Sequence, residues 1–452
     1  MIEERFRDAL ARCPERAFLL GARHEHSYSD FYQHCLRLAG GLSRLEGHRI
    51  ACYMADSAQL IAIMLSAGMS GKSLLLLSRD FTEQQLPTLL QRYDVDTLFC
   101  DSIPRVKLPA NVLDANALDV IAESEPLIAP MEGEVLLLTS GTTGDPKCAR
   151  YSWGDLFAQV KEREVHEHEY WLLAYRLNHF AGLQMLVHVL RNNSTLVFAQ
   201  SNKVSHAIEA MRHFPVTHVS STPTFWRYAL ATLPSSEHGL ALKHITLGSE
   251  PVSASLLEQL QQAFPDTRIV HIYASTEAGS CVCVSDMRPG LPVSILQRDD
   301  SADVQFQIRD EELYIRSAHG MRDYVGSEER ADRDEEGWMA TGDLVRIEDK
   351  RIVFMGRRTE TINVGGVKVH PLEVENVISA IEGVKLARVF GMDNPVVGQI
   401  VAVDVVTHNG HSEQAVEAAI REACLVLSRH ARPRSIHFVD TMETHNFKLK
   451  RQ

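Results

Sequence analysis

The segment Thr139-Ser140-Gly141-Thr142-Thr143-Gly144-Asp145-Pro146-Lys147 gathers hydroxyls and glycines ahead of a single lysine. Such a loop suits a polyphosphate. Glycines let backbone N–H groups approach phosphate oxygens, small hydroxyls donate further bonds, and a lysine adds a point charge. It is not a Walker A loop, because the GxxxxGK[ST] spacing fails. Three further polar segments follow: Tyr273-Ala274-Ser275-Thr276-Glu277, Gly337-Trp338-Met339-Ala340-Thr341-Gly342-Asp343-Leu344 and Gly356-Arg357-Arg358-Thr359-Glu360. A last one, Asn446-Phe447-Lys448, stands four residues from the carboxyl end.

Strands must deliver these residues. Lys243 to Leu247 is short and β-like and enters the turn Gly248-Ser249-Glu250-Pro251. Ser253 reads as an N-cap for a helix bearing Leu256, Leu257, Leu260 and Phe264 on one face, stopped by Pro265. Thr267 to Tyr273 is again strand-like, so the whole predicts a parallel β-α-β unit with both polar loops on one rim, where ligands of such sheets bind. Glu134 to Leu138 is a third buried-strand run that empties into the Thr139 to Lys147 loop. Beyond Gly356 the pattern changes. Pro371 opens a helix with Val374, Val377, Ile378 and Ile381 on one face. Strands are expected at 384–390 and 399–406, a helix at 412–427 and a strand at 435–439. This is an α+β module of the size of an independent domain.

The chain has 452 residues, 45% hydrophobic and 23% charged, which excludes a disordered, collagenous or coiled-coil protein. At roughly 150 residues per domain the length predicts about three domains, or one large and one small. A net charge of -13 repels a phosphate backbone, so nucleic acid is not an expected partner. The apolar stretch Leu60 to Leu77 is broken by Ser66, Ser70, Lys72 and Ser73, so no membrane span is expected. The start lacks a basic region followed by an apolar one, so no signal peptide is expected. Eight scattered cysteines without paired CxxC units read as a reduced, cytoplasmic protein.

Taken in chain order, the five polar segments resemble the signatures of the adenylate-forming superfamily of acyl-CoA synthetases, nonribosomal-peptide adenylation domains and luciferases. The resemblance runs from about Tyr28 to Arg451. It implies an α/β fold: a large amino-terminal domain of parallel-rich sheets and helices, residues 1–356, and a small mobile α+β carboxyl-terminal domain, residues 357–452. It also implies a reaction. A small-molecule carboxylic acid attacks the α-phosphate of ATP to give an acyl-adenylate, and a phosphopantetheine thiol takes the acyl group. CoA is the expected acceptor and a carrier protein the alternative, with Mg2+ as the metal. A luciferase-like oxygenase and a nucleotide-binding regulator with decayed chemistry are the more distant readings.

The resemblance also assigns roles. Thr139, Ser140, Gly141, Thr142, Thr143, Gly144 and Lys147 would cradle phosphates, Thr276 would donate to one and Glu277 would hold Mg2+. Asp343 would take the ribose hydroxyls with Arg357 beside it, and Tyr273 would stack on adenine. Gly248, Ser249, Glu250, Ala274 and Ser275 would line the nucleotide. Lys448 would bridge the carboxylate and the α-phosphate. Gly365 and Gly366 would line a pantetheine tunnel, with a hinge at Thr359. His179 and Phe180 would gate the acid pocket, and Thr222 and Pro223 would form its second wall. No anion stands at His179-Phe180 to hold an ammonium group, so an aryl or fatty acid is expected over an α-amino acid. Each residue also has a plainer reading: a Gly-rich surface turn at 139–147, a core ring at Tyr273, a core histidine at His179, a tail charge at Lys448. Ala274, Cys148, Thr359 and Phe447 depart from the commonest family residues, and bulky Phe447 beside Lys448 bears most on the chemistry.

Overall fold

A computed structural model describes the chain apart from residues 22–23, 116–131, 140–145, 163–167, 202, 234–239, 300, 326–332, 409, 443, 446–447 and 450–452. For residues 24, 444–445 and 448–449 it describes the backbone alone. Contacts divide the chain into two units. One comprises Met1–Ser220, Ala274–Cys281 and Ser317–Asp332, the other Ser221–Tyr273, Val282–Arg316 and Arg333–Gln452.

The first unit contains β1 (Ala17–Gly21), β2 (His24–Ser27), β3 (Arg49–Tyr53), β4 (Ser73–Leu76), β5 (Thr97–Cys100), β6 (Asn111–Asp114), β7 (Glu134–Thr139), β8 (Lys147–Ser152), β9 (Tyr170–Leu173), β10 (Thr195–Phe198) and β11 (His218–Ser221). One sheet has the order β6-β5-β3-β4-β7-β8. Its first five strands are parallel, and β8 returns antiparallel to β7. Leu74 to Leu76 of β4 and Val135 to Leu137 of β7 are buried, as a parallel sheet covered on both faces requires. A second parallel set joins β1 to β10, β10 to β9 and β9 to β11, with β2 antiparallel at its edge.

The apolar stretch from Leu60 resolves into the helix Ala58–Met69 and β4. That helix is apolar all round because it is buried, and its first turn is closed by Ser57 Oγ accepting the Leu60 N–H at 3.2 Å. Among the described residues no helix is long and apolar enough to cross a membrane.

In the second unit β12 (His244–Gly248) and β13 (Arg268–Ser275) are parallel, with Gly248 opposite Ile272. Between them lies the helix Ala254–Ala263, capped by Ser253 as its sequence predicts. β13 runs two residues past the expected end, and β14 (Gly279–Val284) follows. Then come β15 (Leu291–Pro292), β16 (Val304–Arg309), β17 (Glu312–Ser317), β18 (Met339–Glu348) and β19 (Arg351–Arg357), in the sheet order β15-β19-β18-β17-β16.

The expected α+β module follows as β20 (Ile362–Val364), β21 (Val367–Val369), the helix Pro371–Ile378, β22 (Val384–Asn394), β23 (Gly398–Thr407), the helix Glu413–Ala423 and β24 (Ser435–Phe438). Its core joins Val374, Ile378, Val389, Val401, Val403 and Ile420. Ile381 lies past the helix, which ends at the Ser379 cap. β25 (Thr444–His445) and β26 (Lys448–Leu449) form a last hairpin.

The third expected strand-and-loop differs from the β-α-β pair in kind. β7 belongs to the six-stranded sheet and folds back on β8, so Lys147 opens a strand opposite Thr139 rather than closing a loop.

The helix Phe180–Arg191 begins where the chain doubles back onto itself. A Cβ on Gly182 would lie 2.1 Å from the Arg176 carbonyl oxygen. Backbone must move to relieve that clash, so Gly182→Ala is expected to cost at least about 1–3 kcal/mol, the usual range for overpacking. A urea melt of the variant checks this, and an unchanged midpoint would contradict the close approach.

Candidate active site

Three elements of the first unit meet around Lys147. The segment after Ser317 lies along β8: Arg322 N–H bonds Arg150 O at 2.8 Å, Arg150 N–H bonds Asp323 O at 3.0 Å, and Val325 N–H bonds Cys148 O at 2.8 Å. Arg150 and Asp323 clamp this pairing through two parallel bonds, Nε to Oδ1 at 2.8 Å and Nη2 to Oδ2. Tyr324 is thereby set with its ring 5.2 Å from Lys147 Nζ, while its hydroxyl donates to Glu277 Oε1 at 3.2 Å. One phenol thus links the cation and the carboxylate.

Glu277 itself is fixed through its backbone, since its carbonyl accepts the Met321 N–H at 3.0 Å. Thr276 O accepts the Tyr151 hydroxyl. Burial first, then the Glu277 charge, pushes the Tyr151 phenol well above its usual pKa, so it remains a donor. Tyr151 also carries Phe180, whose ring lies 5.5 Å away, and so ties the 179–183 segment to the Thr276 loop. His179 precedes the helix and is half-buried, while Phe180 is buried. Cys148, which follows Lys147, points into the core, and burial pushes its thiol up to about 12. Ser275 Oγ accepts the Ala278 N–H at 3.0 Å, turning the chain after Ala274. Thr139 ends β7 with Oγ1 at 3.5 Å from Lys147 O, whereas Ser140, Gly141, Thr142, Thr143 and Gly144 lie outside the described residues.

The second unit holds a separate polar group built on Asp343. Antiparallel pairing sets Asp343 opposite Arg357. Asp343 Oδ1 meets Arg357 Nε at 2.9 Å, and Oδ2 accepts the Tyr273 hydroxyl at 2.6 Å. The neighbouring Gly342 has φ +74, a left-handed conformation that L side chains rarely adopt, and its N–H donates to Glu312 Oε1 at 2.8 Å. Glu312 is buried and also takes Arg358 Nη2. Tyr273 stacks on Phe354 at 5.1 Å and 27°, so one face of its ring already has an aromatic neighbour.

Glu250 binds the start of the helix Pro223–Thr232, accepting Thr224 N–H at 2.9 Å and Thr224 Oγ1 at 3.0 Å. Thr222 and Pro223 are buried there, Thr222 as the N-cap accepting the Phe225 N–H at 3.0 Å. Gly248 ends β12, and Ser249 has a positive φ of 70. Gly365 and Gly366 form the β20–β21 turn with φ of +60 and +90, the backbone such hairpins demand. Nothing lies within 4 Å of a Cβ placed at Gly366. Lys448 opens β26 opposite His445, and its side chain lies outside the described residues.

Sequence reasoning missed Tyr324, Tyr151 and the Arg150–Asp323 clamp. Their signal was faint: an Arg150-Tyr151 pair inside β8, and an Arg-Asp-Tyr run at 322–324 in a stretch that otherwise reads as loop.

The family model for "AMP-binding enzyme" matches residues 6–325. The chain belongs to the AMP-binding enzyme family. The family's C-terminal domain model matches residues 373–448. Among curated relatives, a 2-succinylbenzoate–CoA ligase of Bacillus pumilus is 24% identical over 95% of this chain and 92% of that one. The Bacillus subtilis ligase of the same name is 25% identical over 75% and 69%. Among solved structures, the o-succinylbenzoate CoA synthetase of Bacillus subtilis in complex with its acyl-adenylate has a TM-score of 0.78 at 21% identity, covering 99% of this chain and 96% of that one. An anthranilate CoA ligase in complex with anthranoyl-AMP has a TM-score of 0.86 at 18% identity over 99% and 95%. The fold of these structures spans nearly the whole of this chain.

Asp343→Asn keeps the shape but gives up the charge shared by Arg357 and Tyr273. For an AMP-binding enzyme the expected result is ATP affinity lower by roughly tenfold or more, the worth of a hydrogen bond to a charged group. Isothermal titration with ATP measures it, and unchanged affinity would remove Asp343 from the nucleotide site.

Proposed function

We propose that the protein activates an aryl carboxylic acid with ATP and passes the acyl group to CoA, as an AMP-forming acid–thiol ligase. The observation that carries this reading is the ordered match to both parts of the AMP-binding family, with the Lys147–Tyr324–Glu277 group inside the first part. The relatives named above are CoA ligases of aryl acids, which favours 2-succinylbenzoate as the first acid to try and an aryl acid over a fatty acid.

In the first step a carboxylate oxygen attacks the α-phosphorus, the bond to the bridging oxygen breaks and pyrophosphate leaves. In the second the thiol sulfur attacks the acyl carbon, its proton is lost and AMP departs. Two anions must approach in line in the first step, so cations decide the barrier. Lys147 supplies one on the phosphate chain and Lys448 a second between carboxylate and α-phosphate. Mg2+ suits the remaining charge. Glu277, whose Oε1 accepts the Tyr324 hydroxyl, would be an oxygen ligand for it, with the substrate phosphates and water as the other hard donors such an ion prefers. Asp343 and Arg357 fix the ribose, while Tyr273 and the Gly248 to Glu250 turn bound the adenine. His179 and Phe180 face the acid, and Gly365 and Gly366 pass the thiol arm.

Residues 357–452 act as the mobile domain that brings Lys448 in and withdraws it, with Thr359 in the hinge. The division of the chain into two units places that stretch together with 221–273 and 282–316, so its mobility rests on the reaction rather than on the fold. A cytoplasmic site follows from the ATP and CoA it uses and from its eight cysteines, none joined in a disulfide. A holo-carrier protein is the alternative acceptor, since the same thiol arm serves both.

Pyrophosphate exchange with 2-succinylbenzoate, anthranilate and short, medium and long fatty acids, followed by CoA or a holo-carrier protein as acceptor, tests the reading. Aryl-acid-dependent exchange and CoA thioester are expected, and no exchange with any acid overturns it. Lys448→Ala is expected to lower exchange by at least a hundredfold with an unchanged melting temperature. Full exchange in that variant would remove Lys448 from the adenylation step.

A further inference from the structure

In the α+β module β23 lies between β22 and β24, and pairing sets three polar residues in one row. Arg388 stands opposite Asp404, and Asp404 stands opposite His437. Ser435 precedes His437 by two residues on β24, and side chains two apart in a strand share a face. None of the four is among the residues given above to the nucleotide, the acid or the thiol.

Their atoms meet in a definite sequence. Ser435 Oγ lies 2.7 Å from His437 Nε2, and His437 Nδ1 lies 3.2 Å from Asp404 Oδ1. A carboxylate accepts and does not donate, so Nδ1 carries the ring proton. In the neutral ring Nε2 is then the acceptor, and the Ser435 hydroxyl donates to it. Arg388 holds the other carboxylate oxygen, with Nε 3.2 Å from Oδ2 and Nη2 on the same atom. That grip fixes the carboxylate and leaves Oδ1 to the ring.

Burial falls off along the same line. The Asp404 side chain is 10% exposed and that of His437 43%, while Ser435 is half-buried. The carboxylate is therefore shielded, and the ring stays within reach of solvent. An ordinary surface serine bonds to water. A serine held on the Nε2 of a ring whose Nδ1 is fixed by a carboxylate has a base placed to take its proton, and that is what turns a hydroxyl into a nucleophile. Phe390 of β22 is half-buried, with its ring 6.4 Å from the His437 ring, and it offers an apolar face to an acyl group.

We propose that Ser435, His437 and Asp404 form a second reactive site, at which Ser435 takes acyl groups from activated esters. Ser435 Oγ attacks the acyl carbon while its proton passes to His437 Nε2. The bond from that carbon to the leaving oxygen breaks, and the leaving group takes the proton from His437. Water then gives a proton to the same Nε2 and attacks the acyl-serine. The carboxylic acid departs, and Ser435 Oγ regains its proton from the ring. This esterase step uses neither ATP nor CoA, so it stands apart from the ligase reading.

The full chain is treated with a fluorophosphonate, which labels activated serines, and separately with p-nitrophenyl acetate. A phosphonyl adduct on Ser435, located by peptide mass spectrometry, and release of p-nitrophenol are expected. Ser435→Ala is expected to abolish both. His437→Gln is expected to slow the labelling by roughly a hundredfold or more, the scale of general-base assistance, and Asp404→Asn to slow it as well. The His437 side chain is exposed enough that its variant is expected to keep the parent's melting temperature, so a loss of labelling there is chemical and not a loss of fold. No adduct on Ser435 overturns the proposal. So does an adduct that forms as fast in His437→Gln as in the parent, which is how an ordinary exposed hydroxyl behaves. Release of p-nitrophenol that persists at the parent rate in Ser435→Ala overturns the esterase step.

Discussion

The pairing of residues 322–325 with β8 governs the Lys147–Tyr324–Glu277 group. Three backbone hydrogen bonds and the Arg150–Asp323 clamp set Tyr324 between Lys147 and Glu277. The clamp is about a third exposed at each partner, so water and salt screen it and it adds little to global stability. Its value lies in register. A slip of one residue along β8 would turn Tyr324 to the other face and separate the cation from the carboxylate. The same logic recurs at Tyr151, which is kept protonated by its burial and steadies both Thr276 and Phe180.

Asp343 plays the corresponding part in the second unit. It sits at a break in the β18–β19 register, where pairing shifts between Leu344 and Val345, and it collects Tyr273 and Arg357 from two other segments. Behind it Glu312 gathers Gly342 and Arg358, so the Thr-Gly-Asp turn is held from two directions. Arg358 and Arg357 are adjacent in the chain yet serve different carboxylates, so this short basic turn carries two positioning contacts rather than one pooled charge.

Much of the fold was legible in the sequence, and the reason is periodicity. Ser253, Leu256, Leu257 and Leu260 forecast a capped helix, and it formed between two parallel strands. Val374, Ile378, Val389 and Ile420 forecast the core of the α+β module. Errors came where periodicity is silent. That β8 returns antiparallel to β7 is not written in the periodicity of 139–147, so Lys147 read as a loop residue. The resemblance gives Thr222 and Pro223 as pocket wall, while their local role is one the sequence pattern does not show: Thr222 caps a helix that Glu250 also grips through Thr224. Motif matches single out residues such as Asp343 and Glu277, but not what holds them: Tyr324 lies 47 positions from Glu277, and Asp323 lies 173 from its partner Arg150, so neither leaves a local pattern.

β13 carries Tyr273 at one end of its polar stretch, with Thr276 and Glu277 following directly. The chain leaves the second unit at Tyr273 and enters the first at Ala274. Tyr273 and Glu277 are thus separated by three intervening residues of continuous backbone. Up to Ser275 this backbone is strand, so an insertion or deletion within Arg268–Ser275 would shift the register of β13 and turn its side chains to the other face rather than lengthen a loop.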